Sequence, residues 1–367
     1  MLKSLIILAI CNFPMLVLAK TPATYHQVRT ELQKTYSKEL VSWVNGLVKA
    51  SGPTRMVGRP GHTKAREYIE ETILKLDAKK TGKMTLSTFA PDVNEAKLFY
   101  QKDFDKKVEG KFSKQCPEYL KWSLFTTHMK EISDQLKTNQ GENIIWEKEG
   151  LDMNKVLVVT AHYDTISHHP QTLLVQNDVP MPGANYNASG VAVALGLIQH
   201  LAQMDLNYSV QVVFLDWQGV GFLGSYHHAQ QLKSSGKKIL GVINLEMLGQ
   251  DTSYFDKTKK IGNMSLYLRP VSEEEKFAKK LVEHGSKIDS KVTFEMRANS
   301  FENSDNIRYW EKDLVAVTFS QNWEDDFNPK FYQTPLDTPE TLNHDTLHHA
   351  YQYIGGAVLG TLLEITK

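Results

Sequence analysis

Cysteine is nearly absent: the 367 residues contain two. Cys11 lies in the apolar N-terminal run, which leaves Cys116 alone in the rest of the chain. That excludes an internal disulfide framework and a cysteine-based zinc site once the run is removed. A solitary cysteine is most often a packing residue. Net charge is absent as well, since Lys+Arg 42 and Asp+Glu 42 cancel to +0. This argues against a nucleic-acid binder that works through a broad basic surface. Beyond the first twenty residues no apolar run approaches the roughly 20 residues that a membrane span needs. Internal repeats and low-complexity linkers are also missing.

What is present is ordinary globular material: hydrophobic 41%, aromatic 10%, charged 23%. The N-terminus reads as a secretory signal over residues 1–19: a positive start at Lys3, an apolar stretch from Ser4 to Leu18, and small residues before Lys20. The expected localisation is therefore secreted or periplasmic, with residues 20–367 as one domain.

The remaining sequence alternates strands and helices. Val156–Ala161, Val210–Leu215, Ile239–Leu245 and Leu314–Phe319 read as strands buried on both faces, and Ser265–Leu268 as a weaker strand. Tyr25–Lys49, Thr63–Leu76, Ser189–Met204, Leu223–Lys233, Glu273–Glu283 and Leu347–Leu363 read as helices, with Ser189 as an N-cap. About Phe89 to Asn139 the chain is polar, lysine-rich and poorly periodic, an insertion or irregular edge region. The alternation predicts an α/β fold of three layers, a mostly parallel, mixed central sheet with helices on both faces.

In such sheets sites lie beyond the carboxyl ends of the strands. The residues found there are Ala161-His162-Tyr163-Asp164-Thr165, Pro182-Gly183-Ala184-Asn185-Tyr186-Asn187-Ala188-Ser189-Gly190, Asp216-Trp217-Gln218-Gly219 followed by Gly221-Phe222-Leu223-Gly224-Ser225, and Asn244-Leu245-Glu246-Met247-Leu248-Gly249. A late segment, Gln333-Thr334-Pro335-Leu336-Asp337-Thr338, completes the set.

With these blocks in this order, the chain resembles the di-zinc aminopeptidases (peptidase family M twenty-eight), from about Arg55 through the terminal helix. The resemblance implies a zinc-aminopeptidase-like fold in which two zinc ions share a bridging carboxylate and a glutamate takes a proton from the bridging water. Carried over by position, His162 matches a ligand and Asp164 the aspartate that orients it, while Glu246 matches a ligand aspartate. The bridging aspartate is replaced by Asn185 and its neighbour by Tyr186, the base by Gln218, a ligand glutamate by Gly219 and the late ligand histidine by Gln333. Ser304, Asp305 and Asp337 match positions that support the cleft.

Chemistry judges these departures. Asn185 cannot bridge two cations, Gly219 offers no side chain, and Gln333 is a poor ligand beside imidazole. A glutamine amide does not accept the water's proton near neutral pH. Two dications would face a single ligand carboxylate, which is not a credible buried site. The expectation is a pseudo-peptidase without a tightly bound cofactor, binding a peptide, an amino acid or a protein partner. The alternative is an active metallo-aminopeptidase with a rebuilt site, or a single weak zinc or other divalent ion at His162 and Glu246. The paired histidines His168-His169, His227-His228 and His348-His349 are weak substitutes, because adjacent residues do not face one site together. Ser225 lacks a nucleophile-elbow pattern, and Asp216 reads as a carboxylate that holds backbone at a strand end.

Overall fold

A computed structural model describes residues 23–365, apart from 170, 177–178, 252–253, 257, 259–260 and 327–328. The signal expected at 1–19, with Cys11, lies outside the described residues. Helices α1 (Tyr25–Leu32), α2 (Ser37–Ser51) and α3 (Pro60–Leu76) precede strand β1 (Lys83–Phe89). Helices α4 (Val93–Lys107) and α5 (Pro117–Leu136) follow, then β2 (Gly141–Lys148) and β3 (Asp152–His162). Next come α6 (Ser189–Leu201), β4 (Tyr208–Leu215), α7 (Leu223–Ser234), β5 (Lys238–Leu245), β6 (Tyr254–Asp256) and β7 (Ile261–Tyr267). The chain closes with α8 (Ser272–Ile288), β8 (Val292–Arg297), the short α9 (Asn306–Trp310), β9 (Ala316–Gln321) and α10 (His344–Leu362).

The strands form one sheet ordered β1-β2-β4-β3-β5-β9-β7-β6, with β8 on β7. Its centre, β4-β3-β5-β9, is parallel, and antiparallel strands flank it on both sides. The central strands are apolar on both faces because both faces are covered. Leu157, Val159, Val210 and Val212 pack with α2, α6 and α10 on one side, and Val156, Val158, Val213 and Leu215 with α7 and α9 on the other. The α/β architecture read from the sequence is the one observed.

Several local expectations are corrected. Tyr25–Lys49 is two helices, because Tyr36 starts a new one: its backbone N–H donates to Glu39 Oε2 at 2.8 Å, while Thr35 Oγ1 lies 2.8 Å from His200 Nε2. Ser189 is the first residue of α6 and caps nothing; its hydroxyl donates to the Asn185 carbonyl at 2.9 Å. The stretch 89–139, expected as an insertion or irregular edge region, is regular, holding α4 and α5 packed on each other. Cys116 caps α5, its sulfur accepting the Tyr119 N–H at 3.4 Å, with Pro117 at the first helical position. Strands β1, β2 and β8 alternate burial or lie at an edge, so they give no continuous apolar run to read.

Candidate functional site

The parallel strands β3, β4 and β5 end side by side and deliver His162, Asp216 to Gly219, and Glu246 to one place. The loop 182–188 crosses above them with Tyr186. Three of these positions are joined in one hydrogen-bonded chain. The Tyr186 hydroxyl donates to Gln218 Oε1. Gln218 Nε2 then donates to Glu246 Oε1 at 3.2 Å. The other oxygen of Glu246 accepts the Ser304 hydroxyl, which itself accepts from Asn244 Nδ2 at 2.6 Å. Burial pushes the Tyr186 phenol well above its ordinary pKa, so the chain is neutral from Tyr186 to Gln218.

His162 is fully buried, its ring 4.8 Å from that of Tyr186. Its Nδ1 donates to the backbone carbonyl of Asp164 at 3.1 Å, and its Nε2 lies 3.5 Å from Glu246 Oε1 without a hydrogen bond. Burial pulls the imidazole pKa down, but Glu246, Asp164 and Asp305 together raise it above the usual value. The Asp164 carboxylate was expected to orient His162. Instead it accepts the backbone N–H groups of Gln218 at 2.9 Å and Gly219 at 3.0 Å, and the orienting atom is its own carbonyl. Asp305 takes the Ser225 hydroxyl at 2.5 Å on one oxygen, and the other is buried without a partner. Burial raises its pKa to about 7. Ser304, Asp305 and Asp337, expected in the cleft, are 0–1% exposed and lie beneath its floor.

Asn185 does not face the cleft. Its amide oxygen accepts the Gly249 N–H at 2.8 Å and the Ser189 hydroxyl at 3.2 Å, and its amide nitrogen donates to Gln321. The loop carrying it is gripped from both sides. Arg55, wholly buried, donates to the carbonyls of Tyr163, Pro182, Gly183 and Tyr186. Asp337 accepts the N–H groups of Asn185 at 2.8 Å and Tyr186 at 2.9 Å. Gly183, at φ 61, meets the Arg55 guanidinium and the Tyr186 carbonyl where a Cβ would stand.

Gly219 is backed by Ile166. A Cβ added at Gly219 would stand 2.9 Å from both Cβ and Cγ2 of Ile166. Around it Trp217, Phe222, Met247 and Gln333 have left-handed φ of 53 to 61. Non-glycine residues there cost on the order of 1–3 kcal/mol each, and such strain clusters at sites where surrounding contacts fix it.

Above this floor is a cavity of about 200 Å³. Tyr186, Gln218, Gly219, Gln333 and His168 line it below, and Phe99, Tyr100, Trp122 and Phe125 of α4 and α5 wall it. Sequence reasoning missed these wall residues. The available signal was the density of aromatic residues inside the lysine-rich stretch.

Among the histidine pairs, His168 reaches this cavity; His228 is buried against the Tyr309 hydroxyl at 2.9 Å. Asp216 holds backbone as expected, accepting the N–H groups of Trp217 and Glu142, and adds an ion pair with His62 Nε2 at 2.6 Å. Burial lowers the His62 pKa, but the Asp216 charge and hydrogen bond carry it above its ordinary 6.5. A histidine raised in the folded state contributes stability that is complete below its unfolded pKa and is lost as pH rises through the folded value. The margin in melting temperature of the parent chain over His62→Gln is therefore expected to narrow as pH rises from 6.5. Equal pH profiles for the two chains would refute the assignment.

Comparison with known proteins agrees with this fold. Aminopeptidase YwaD of Bacillus subtilis (strain 168) is 26% identical over 242 residues, 63% of this chain and 48% of that protein. A probable zinc metalloprotease of Pyrenophora teres f. teres (strain 0-1) is 34% identical over 101 residues, 28% of this chain and 20% of that protein. The chain thus spans about half or less of the length of these curated relatives. The solved aminopeptidase from Aneurinibacillus sp. strain AM-1 superposes with a TM-score of 0.63 at 15% identity, over 92% of this chain and 96% of that one, a likeness of fold. The sequence pattern of one family, described as Peptidase family M28, matches residues 143–358, which include His162, Gln218, Glu246 and Gln333. This chain belongs to peptidase family M28.

Proposed function

We propose that this zinc-aminopeptidase-like protein is a secreted pseudo-peptidase whose cleft binds a peptide, an amino acid or a protein partner without cleaving it. The observation that carries the reading is the chain Tyr186–Gln218–Glu246, in which these positions hydrogen-bond to one another. A di-zinc centre does not fit these donors. Among the described residues no group of three or more His, Cys, Asp or Glu side chains is arranged to hold a metal ion. Both oxygens of Glu246 and the amide oxygen of Asn185 already accept hydrogen bonds. Gln218 at the base position removes proton acceptance, which alone costs roughly 10²–10⁴ in rate.

A second reading keeps one weakly held divalent ion and residual aminopeptidase activity. It is favoured by His162 Nε2, which lacks a hydrogen bond and lies 3.5 Å from Glu246. Elemental analysis of the purified chain and hydrolysis of aminoacyl anilides with added zinc separate the two. The pseudo-peptidase reading expects neither retained zinc nor turnover. Turnover that disappears in His162→Ala would overturn it. Secretion is tested by whether the chain leaves the producing cell with a new N-terminus at Lys20.

A further inference from the structure

We infer that the cavity takes a ligand uncharged at its amino end, an N-blocked amino-acid amide or an equivalent residue-sized carboxamide, rather than a free N-terminal amine. The inference rests on the binding reading above and narrows it to a chemical class.

The walls are aromatic and already packed edge to face. Phe99 meets Phe222 at 5.1 Å and 88°, Tyr100 meets Phe125 at 6.0 Å and 87°, and Trp122 meets Phe125 at 5.6 Å and 89°. Such walls accept an apolar side chain or a planar amide without reorganising. The volume of about 200 Å³ lies below the roughly 300–1,000 Å³ of drug-sized pockets, which suits a single residue.

The polar side chains at the floor are neutral, and the charged lining residues Asp103, Lys107 and Glu302 stand at the rim. Gln218, Gln333 and Asn303 are carboxamides. His168 donates Nδ1–H to the Leu173 carbonyl at 2.7 Å, and burial holds its pKa down at about 4, so its other nitrogen is an acceptor. The carboxylate beneath the floor, Glu246, is 1% exposed with both oxygens engaged. The rim carboxylates are paired: Asp103 with Lys107 at 2.6 Å, Glu302 with Lys106 at 2.5 Å. An ammonium set on this floor would lose its hydration without gaining a counter-charge. A carboxamide brings one acceptor and N–H donors that match a lining of amides and a neutral imidazole.

Titration calorimetry of the whole chain tests this with three probes: N-acetyl-phenylalaninamide, N-acetyl-leucinamide and phenylalaninamide. A blocked probe is expected to bind about tenfold tighter than phenylalaninamide. Trp122→Ala, at a half-exposed position, is expected to weaken it by about tenfold. Gln333→Glu, which adds a carboxylate to the lining, is expected to shift the preference toward phenylalaninamide. Equal or tighter binding of phenylalaninamide by the unaltered chain overturns the inference, as does failure of both blocked probes to bind. The anilide assay is independent: turnover with blocked-probe preference intact removes the pseudo-peptidase reading alone, and absent turnover with amine preference removes this one alone.

Discussion

Restoring the family's residues at four positions, by Asn185→Asp, Gln218→Glu, Gly219→Glu and Gln333→His, is expected to leave zinc binding unrecovered. The obstacle is what has filled in around those positions. A side chain at 219 starts 2.9 Å from both Cβ and Cγ2 of Ile166, so no rotamer change of Ile166 relieves it. The Tyr186 ring lies 4.8 Å from that of His162, and its hydroxyl is bonded to Gln218. A carboxylate at 185 would inherit hydrogen bonds from Gly249 and Ser189 that turn it from the cleft. Adding Tyr186→Asp and Ile166→Gly removes both obstructions. The six-fold variant is expected to bind zinc about 100-fold tighter than the four-fold one, within the range that groups around a ligand set control. Competition titration against a chromogenic chelator measures the difference. Two tight zinc ions in the four-fold variant would sink this account.

Breaking the grip on the 182–188 loop is expected to cost about 3–5 kcal/mol, because each substitution strands at least two buried backbone groups at roughly 1–3 kcal/mol apiece. Arg55→Ala strands four carbonyl oxygens, and Asp337→Ala strands the N–H groups of Asn185 and Tyr186. Burial draws the Arg55 pKa down to about 10 and pushes the Asp337 pKa up to about 6, so both stay mostly ionised at neutral pH. Arg55→Met is expected to lose nearly as much as Arg55→Ala, because its packing returns but the donors do not. Urea unfolding with an unchanged slope is the measurement. A loss below about 1 kcal/mol for both alanine variants would mean that the loop is held elsewhere.

The central strands were legible because burial on both faces writes them as unbroken apolar runs, Val156–Ala161 being the clearest. The site blocks were legible because turn glycines and strand ends bring His162, Gln218 and Glu246 together by local connectivity. The cavity walls were not. Helices α4 and α5 bury a narrow face on the loop 217–222 and show solvent a lysine-rich one, which weakens helical periodicity. Equally hidden was the contact of Ile166 with Gly219, across 53 residues of sequence (219 − 166). No composition or spacing announces which side chain fills a space left by another. The same holds for Asn185, whose type suggests a weak ligand and whose partners, Gly249, Ser189 and Gln321, turn it inward.

The paired grip also orders events in time. Arg55 emerges early during synthesis and can gather carbonyl groups as soon as the loop exists, whereas Asp337 is made 282 residues later (337 − 55). Until then the N–H groups of Asn185 and Tyr186 lack their carboxylate acceptor, so the mouth of the cleft is assembled only after Asp337 has been made. A chain halted before Asp337 should hold the β3–β4–β5 sheet while those two amides still exchange freely, which hydrogen exchange on the halted chain measures.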